Sequence, residues 1–148
     1  MRTSAGFTLI EMLAVLAILA LVASIALPVL RRPPDALRLE AAARMLASAL
    51  RLTRAQAIAG NAELSLSIDA DRRVFESPVH PATALDPEIS IAMTVAAPER
   101  RAGAAGSIRF FPDGTSSGGD IDLTLGARRA RIAVNWLTGL ARLDLGAK

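Results

Sequence analysis

The sequence predicts an α+β chain: a long apolar N-terminal helix, then an amphipathic helical stretch packed on a small antiparallel β-domain. Three observations predict it. From Met12 to Leu27 there is no polar residue except Ser24. At Gly60 the spacing of apolar residues changes from helical to strict alternation. Beyond that point the alternating runs are separated by Gly, Pro and Asn, the residues of turns.

The apolar run comes first. Widened to residues 7–30 it adds only Thr8, Glu11 and Pro28 as interruptions. As a helix these residues reach roughly 36 Å at about 1.5 Å per residue, enough to cross a hydrocarbon core of about 30 Å. Pro33-Pro34-Asp35 then favours a break or a new helix start. The next helical stretch is expected to run to about Ile58. Leu39, Ala43, Leu46, Leu50, Thr53 and Ala57 fall on one stripe, which is expected to pack on a sheet of the same chain. Glu40 and Arg44 form an i,i+4 pair on another face. Gly60-Asn61 supplies the stop.

Alternation marks the strands. Leu64, Leu66 and Ile68 form one run, and Ile89, Ile91, Met93 and Val95 another. Ile121, Leu123 and Leu125, then Ile132, Val134 and Trp136, then Ala141, Leu143 and Leu145 read as a three-strand meander. Its turns fall at Gly126-Ala127 and at Leu137-Thr138-Gly139-Leu140. Arg73–Glu76 and Ile108–Phe111 are weaker strand signals. The proline-bearing stretch Ser77–Pro87 is expected to be an irregular loop, and Ala96–Gly106, rich in Ala, Gly and Arg, a mobile one.

Composition excludes several classes of function. There is no cysteine, so neither a disulfide framework nor a thiolate metal site is available. His80 is the sole histidine and sits beside Pro81. No serine lies in a Gly-x-Ser-x-Gly elbow. No enzyme activity, cofactor or resident metal is expected. Asp113, Asp120 and Asp122 offer oxygen ligands for calcium, but not at the spacing of a twelve-residue calcium loop; turn-forming aspartates are the simpler reading. The net charge is +3, nearly all of it arginine, since Lys148 is the only lysine. The aromatics are Phe7, Phe75, Phe110, Phe111 and Trp136, few for a surface that stacks bases.

The N-terminus departs from an ordinary secretory signal, in which a small-residue cleavage site follows the apolar region. Here Gly6 precedes it, although Ala23-Ser24-Ile25-Ala26 imitates a conventional site and keeps that alternative open. The run Gly6-Phe7-Thr8-Leu9-Ile10-Glu11-Met12-Leu13 resembles the type III (prepilin) signal. That resemblance implies cleavage between Gly6 and Phe7 by a prepilin peptidase, then N-methylation of Phe7. A carboxylate inside hydrocarbon costs at least about 2.5 kcal/mol, so Glu11 calls for a partner. Cleavage frees the α-amino group of Phe7, and the pairing of that amine with Glu11 of a neighbouring subunit would fix axial register. A Glu11 placed near the headgroups, or protonated, is the plainer alternative.

Two C-terminal stretches narrow the resemblance. Ile108-Arg109-Phe110-Phe111-Pro112-Asp113-Gly114-Thr115-Ser116-Ser117-Gly118-Gly119 and Arg131-Ile132-Ala133-Val134-Asn135-Trp136-Leu137-Thr138-Gly139 are similar to the H-type minor pseudopilins of type II secretion systems, relatives of the FimT- and FimU-type minor pilins. The resemblance implies a type IV pilin-like fold. Its parts would be a cleaved leader (1–6), a transmembrane and filament-core helix (7–30), an amphipathic continuation (31–60) and a periplasmic β-domain (61–148). It implies a single-pass inner-membrane protein that joins a pseudopilus tip complex and helps export folded proteins. The implied partners are the prepilin peptidase, other minor pseudopilins, the major pseudopilin and the membrane. The positive-inside count, Arg2 against Arg31 and Arg32, favours the reverse orientation; the cytoplasmic leader follows from the motif. Arg128, Arg129 and Arg131 form a basic cluster that suits a rival reading, a type IV pilus minor pilin that contacts DNA through phosphates. With no aromatic interleaved, a solvated strand edge is the reading preferred here, and nucleic acid is not an expected partner.

Overall fold

The computed structural model describes residues 8–29, 33–95 and 105–146. It divides into two compact units, residues 1–33 and 34–148.

The first unit holds α1 (Leu9–Val29). Its described side chains, residues 8–23, are all exposed, although the sequence is apolar on nearly every side of the helix, the pattern of one that is covered all round by protein or membrane. Among the described residues no helix is long and apolar enough to cross a membrane. The membrane span expected over residues 7–30 takes in side chains outside that set.

The second unit opens with α2 (Asp35–Ala59). The expected stripe is its buried face: Leu39, Ala43, Leu46, Leu50, Thr53 and Ala57, widened by Ala42, Ala47 and Ala49. Thr53 tolerates burial because its hydroxyl donates to the Ala49 carbonyl (2.8 Å) and can accept from Ser77 Oγ (3.1 Å). Glu40 and Arg44 pair as expected, at 2.6 Å. The stop works through Asn61 more than Gly60. Gly60 keeps right-handed angles, whereas Asn61 takes the left-handed conformation (φ 46°) that ends many helices.

Among the described residues eight strands follow: β1 (Leu64–Asp69), β2 (Val74–Ser77), β3 (His80–Ala84), β4 (Ser90–Val95), β5 (Ala105–Phe110), β6 (Gly119–Leu125), β7 (Arg128–Val134) and β8 (Ala141–Leu145). They form two antiparallel four-stranded sheets, ordered β3-β2-β1-β5 and β4-β6-β7-β8. The three-strand meander is present as β6-β7-β8, with β4 added to its edge. One core joins α2 to both sheets, with Phe75, Phe110, Leu66, Ile121 and Ile132 among its fully buried side chains. The α+β expectation, an N-terminal-half helix on antiparallel sheets, therefore holds.

Three local readings need correction. Ser77–Pro87 is not an irregular loop: it contributes the end of β2 and all of β3. Pro81 is tolerated because β3 is an edge strand, where a missing N–H costs no ladder bond. The expected mobile stretch Ala96–Gly106 ends in structure, since Ala105 and Gly106 open β5 opposite Asp69 and Ile68; residues 96–104 lie outside the described set. Trp136 does not continue the inward face of β7. That strand stops at Val134, and Trp136 is exposed in the turn beyond it.

Candidate assembly surfaces

At the N-terminus, Gly6 and Phe7 lie outside the described residues. Glu11 stands in the first turn of α1, exposed. Its backbone N–H donates to Thr8 Oγ1 (3.3 Å) and to the Thr8 carbonyl (3.1 Å). Thr8 is thus the cap of the helix that carries Glu11. The Thr-x-x-Glu spacing of a capping box was the available signal for this role, and sequence reasoning passed over it. The cap fixes where the helix begins, and so where the carboxylate stands relative to the chain start.

The two C-terminal motif stretches meet in space. After β5 the Pro112-Asp113-Gly114 turn closes through Gly114 N–H to the Phe111 carbonyl (2.9 Å). Asp113 Oδ1 accepts from Thr115 N–H (2.9 Å) and Thr115 Oγ1 (2.7 Å). Those two bonds hold its carboxyl below the usual carboxylate value. Ser116 then crosses to the β7–β8 turn. Its N–H donates to the Trp136 carbonyl (2.8 Å) and its hydroxyl to the Asn135 carbonyl (3.1 Å). Asn135 Oδ1 in turn accepts from Leu137 N–H, Thr138 N–H and Thr138 Oγ1, at 2.9, 3.0 and 3.2 Å. From α2, Arg54 Nε reaches the Gly114 carbonyl (3.0 Å). Arg54 and Ser116 thus tie α2 and the two turns into one network, and the β7–β8 turn presents Trp136, Leu137 and Leu140 to solvent at 65%, 59% and 50% exposure. A rigid turn with exposed large apolar side chains is the usual make-up of a protein contact point. Beside Trp136 lies an open groove of about 530 Å³ lined by Thr94, Ser117, Gly118 and Asp120.

Arg128, Arg129 and Arg131 all fall on β7, the first two exposed at its start. Arg131 is ion-paired to Asp120 (3.0 Å) and stands in register between Asp122 on β6 and Asp144 on β8. Its pKa is raised, first by the hydrogen bond to Asp120 and then by the fields of Asp120, Asp122 and Asp144. Arg142 lies one row further along β8. The outer face of this sheet is therefore a mixture of acids and bases, not a basic stripe. His80 packs against Phe75, with ring centroids 5.2 Å apart. Among the described residues no cluster of acids and histidine could hold a metal ion.

Comparison with known proteins decides what these surfaces belong to. The family model described as type II transport protein GspH matches residues 42–139. The chain belongs to the type II transport protein GspH family. A model of the prokaryotic N-terminal methylation motif matches residues 1–27 of this GspH-family chain. It is 38% identical over 141 residues to the type II secretion system protein H of Xanthomonas campestris pv. campestris, covering 95% of this chain and 83% of that one. Its fold is similar to that of the minor pseudopilin EpsH from the type 2 secretion system of Vibrio cholerae (TM-score 0.61, 13% identity, 75% of this chain and 99% of that chain). It also resembles the type IV minor pilin FimU of Pseudomonas aeruginosa (TM-score 0.51, 13% identity, 74% and 88%). Membership in the GspH family places the chain in type II secretion, and favours that reading over the pilus one.

The match over residues 42–139 takes in the buried face of α2 from Ala42 onward, both motif stretches, and Trp136 and Leu137 of the exposed turn. The expected resemblance is therefore shown. The arginines were legible as residues, but the aspartates around Arg131 come from neighbouring strands and were not.

Proposed function

We propose that this GspH-family chain is a minor pseudopilin of the pseudopilus tip, anchored in the inner membrane with residues 34–148 in the periplasm, where it helps export folded proteins. The observation that carries the proposal is the family match over residues 42–139, which is joined at the N-terminus by the methylation motif over residues 1–27. A prepilin peptidase cuts between Gly6 and Phe7 and the new terminus is methylated. Residues 7–30 supply a span of about 36 Å as a helix, and Glu11 meets the freed amine of a neighbouring subunit. The cost of placing that carboxylate in hydrocarbon, about 2.5 kcal/mol or more, is offset only when the neighbour stands at the right height. The carboxylate thereby selects register. The chain contributes assembly, with partner surfaces such as the braced Trp136 turn, and no chemistry of its own.

Mass spectrometry of the mature protein is expected to find a methylated Phe7 at the N-terminus. A strain carrying Glu11→Leu is expected to keep the protein in the membrane yet lose most secretion of its exported proteins. An uncut N-terminus, or full secretion by Glu11→Leu, overturns the proposal. The charge-balanced outer face of β6, β7 and β8 supports no DNA role. Filter binding at low salt is expected to show no retention of duplex DNA; retention that falls steeply with salt would restore the pilus reading.

A further inference from the structure

We propose that β4 is a docking edge that accepts an extended segment of a different polypeptide, apolar at alternate positions and basic between them. Among the described strands each sheet has two edges, and three of those four are obstructed. On β3 the edge carries Pro81, and its pairing with β2 is broken by a bulge. On β5 it is covered by the loop after it: Arg109 N–H donates to Ser117 Oγ (3.0 Å), and Ser117 N–H donates to the Arg109 carbonyl (2.9 Å). On β8 it carries Arg142 and Asp144, and Arg51 donates to the Ala141 carbonyl (3.3 Å). The fourth edge, Ser90–Val95, has no charge, no proline, no glycine and no bulge against β6. Among the described residues no backbone hydrogen bond joins it to anything but β6.

The neighbours of β4 state what would fit. On the inner face Ile91 and Met93 are only half buried against the core, so an added strand with apolar side chains there would complete their cover. On the outer face the register places Asp122 beside Ala92 and Asp120 beside Thr94. Ala92 and Thr94 are short, so a long cationic side chain on the incoming strand can reach over them to the aspartates. Asp120 is shared with Arg131, whereas Asp122 is exposed with no ion pair shown among the described residues. Strand addition takes affinity from main-chain bonds and specificity from alternate side chains. A second copy of β4 is a poor occupant, since its own outer residues, Ser90, Ala92 and Thr94, carry no positive charge.

The test uses the full-length chain in detergent micelles and a short synthetic peptide alternating valine and arginine, with hydrogen exchange read by mass spectrometry over residues 90–95. The peptide is expected to slow exchange there, to lose its effect when its alternate amides are N-methylated, and to act more weakly when glutamate replaces arginine. Asp122→Asn is expected to weaken the arginine peptide by about two- to fivefold, the size of an exposed ion pair, while leaving exchange in β1 and β2 unchanged. Equal protection by the glutamate peptide, protection confined to β3 or β8, or no protection of residues 90–95 overturns the proposal. So does protection of β4 in the chain alone that grows with its concentration, which would make the occupant a second copy.

Discussion

At the scale of single residues, the braced turn is where small changes cost most. Gly139 holds φ at +62°, and a Cβ there would land on the Gly114 carbonyl oxygen and against Arg54 Nε. Neither backbone nor bonded guanidinium can step aside cheaply. Gly139→Ala is expected to destabilise by about 2–4 kcal/mol, through strain and loss of the Arg54 bond, read as a lower urea midpoint by circular dichroism. Asp113 tests the electrostatics of the same turn. The Thr115 bonds lower its folded-state pKa below the usual 3.8. Its contribution is therefore complete above the unfolded-state value and is lost as pH falls through the folded one. Carboxyl NMR titration is expected to place Asp113 below 3.8. Asp113→Asn keeps an acceptor for Thr115 and should flatten the acid limb of stability. The sequence signalled Asp113 and Gly114 as a turn. It misplaced Trp136, because alternation across Ile132, Val134 and Trp136 continues in sequence after the strand has ended in space.

Among the elements, α2 was readable in full and β3 not at all, for one physical reason. A helix that packs on a sheet must repeat its apolar residues every three or four positions, and α2 does so over 25 residues. β3 is His-Pro-Ala-Thr-Ala at a sheet edge, with no large apolar side chain to alternate. Its pairing with β2, and Leu85 beyond it, whose N–H donates to the Arg73 carbonyl (2.7 Å), hold it in place. The energetic weight lies with α2. Leu46→Ala removes a fully buried side chain and is expected to cost about 2–5 kcal/mol, measured by urea denaturation. The start of α2 has a second anchor. The guanidinium of Arg38, only 15% exposed, donates to Asp86 and Glu88 (2.6 Å each) and to Asp35 (3.2 Å). Arg38→Ala is expected to speed hydrogen exchange in residues 85–89 before it affects β6 or β7.

For the molecule as a whole, the division into two units has a direct test. Among the described residues every buried core residue lies between Leu39 and Ala141. A chain of residues 34–148 is therefore expected to fold alone and unfold in a single cooperative step; two steps, or no transition, would show that the first unit is needed. The partition of strands between sheets was beyond the sequence. Alternation tells which side of a strand faces inward, but not that β1 takes β5 as a neighbour across some forty residues, or that β4 joins the meander. The arginines of β7 were read as a solvated strand edge, but β7 lies between β6 and β8, and the counter-charges of Arg131 arrive through that pairing.

The uniform coat of α1 has a consequence for how such subunits find their orientation. A rod greasy on all sides has no heading of its own: turned about its long axis, it meets hydrocarbon equally well at every angle. On the proposed pairing with a neighbouring subunit's amine, Glu11 is the compass needle. Exchanging one aliphatic residue of the rod for another should pass almost unnoticed. Carrying the acid from position 11 to position 13, about 200° around the helix at roughly 100° per residue, should leave composition untouched and still misdirect the subunit.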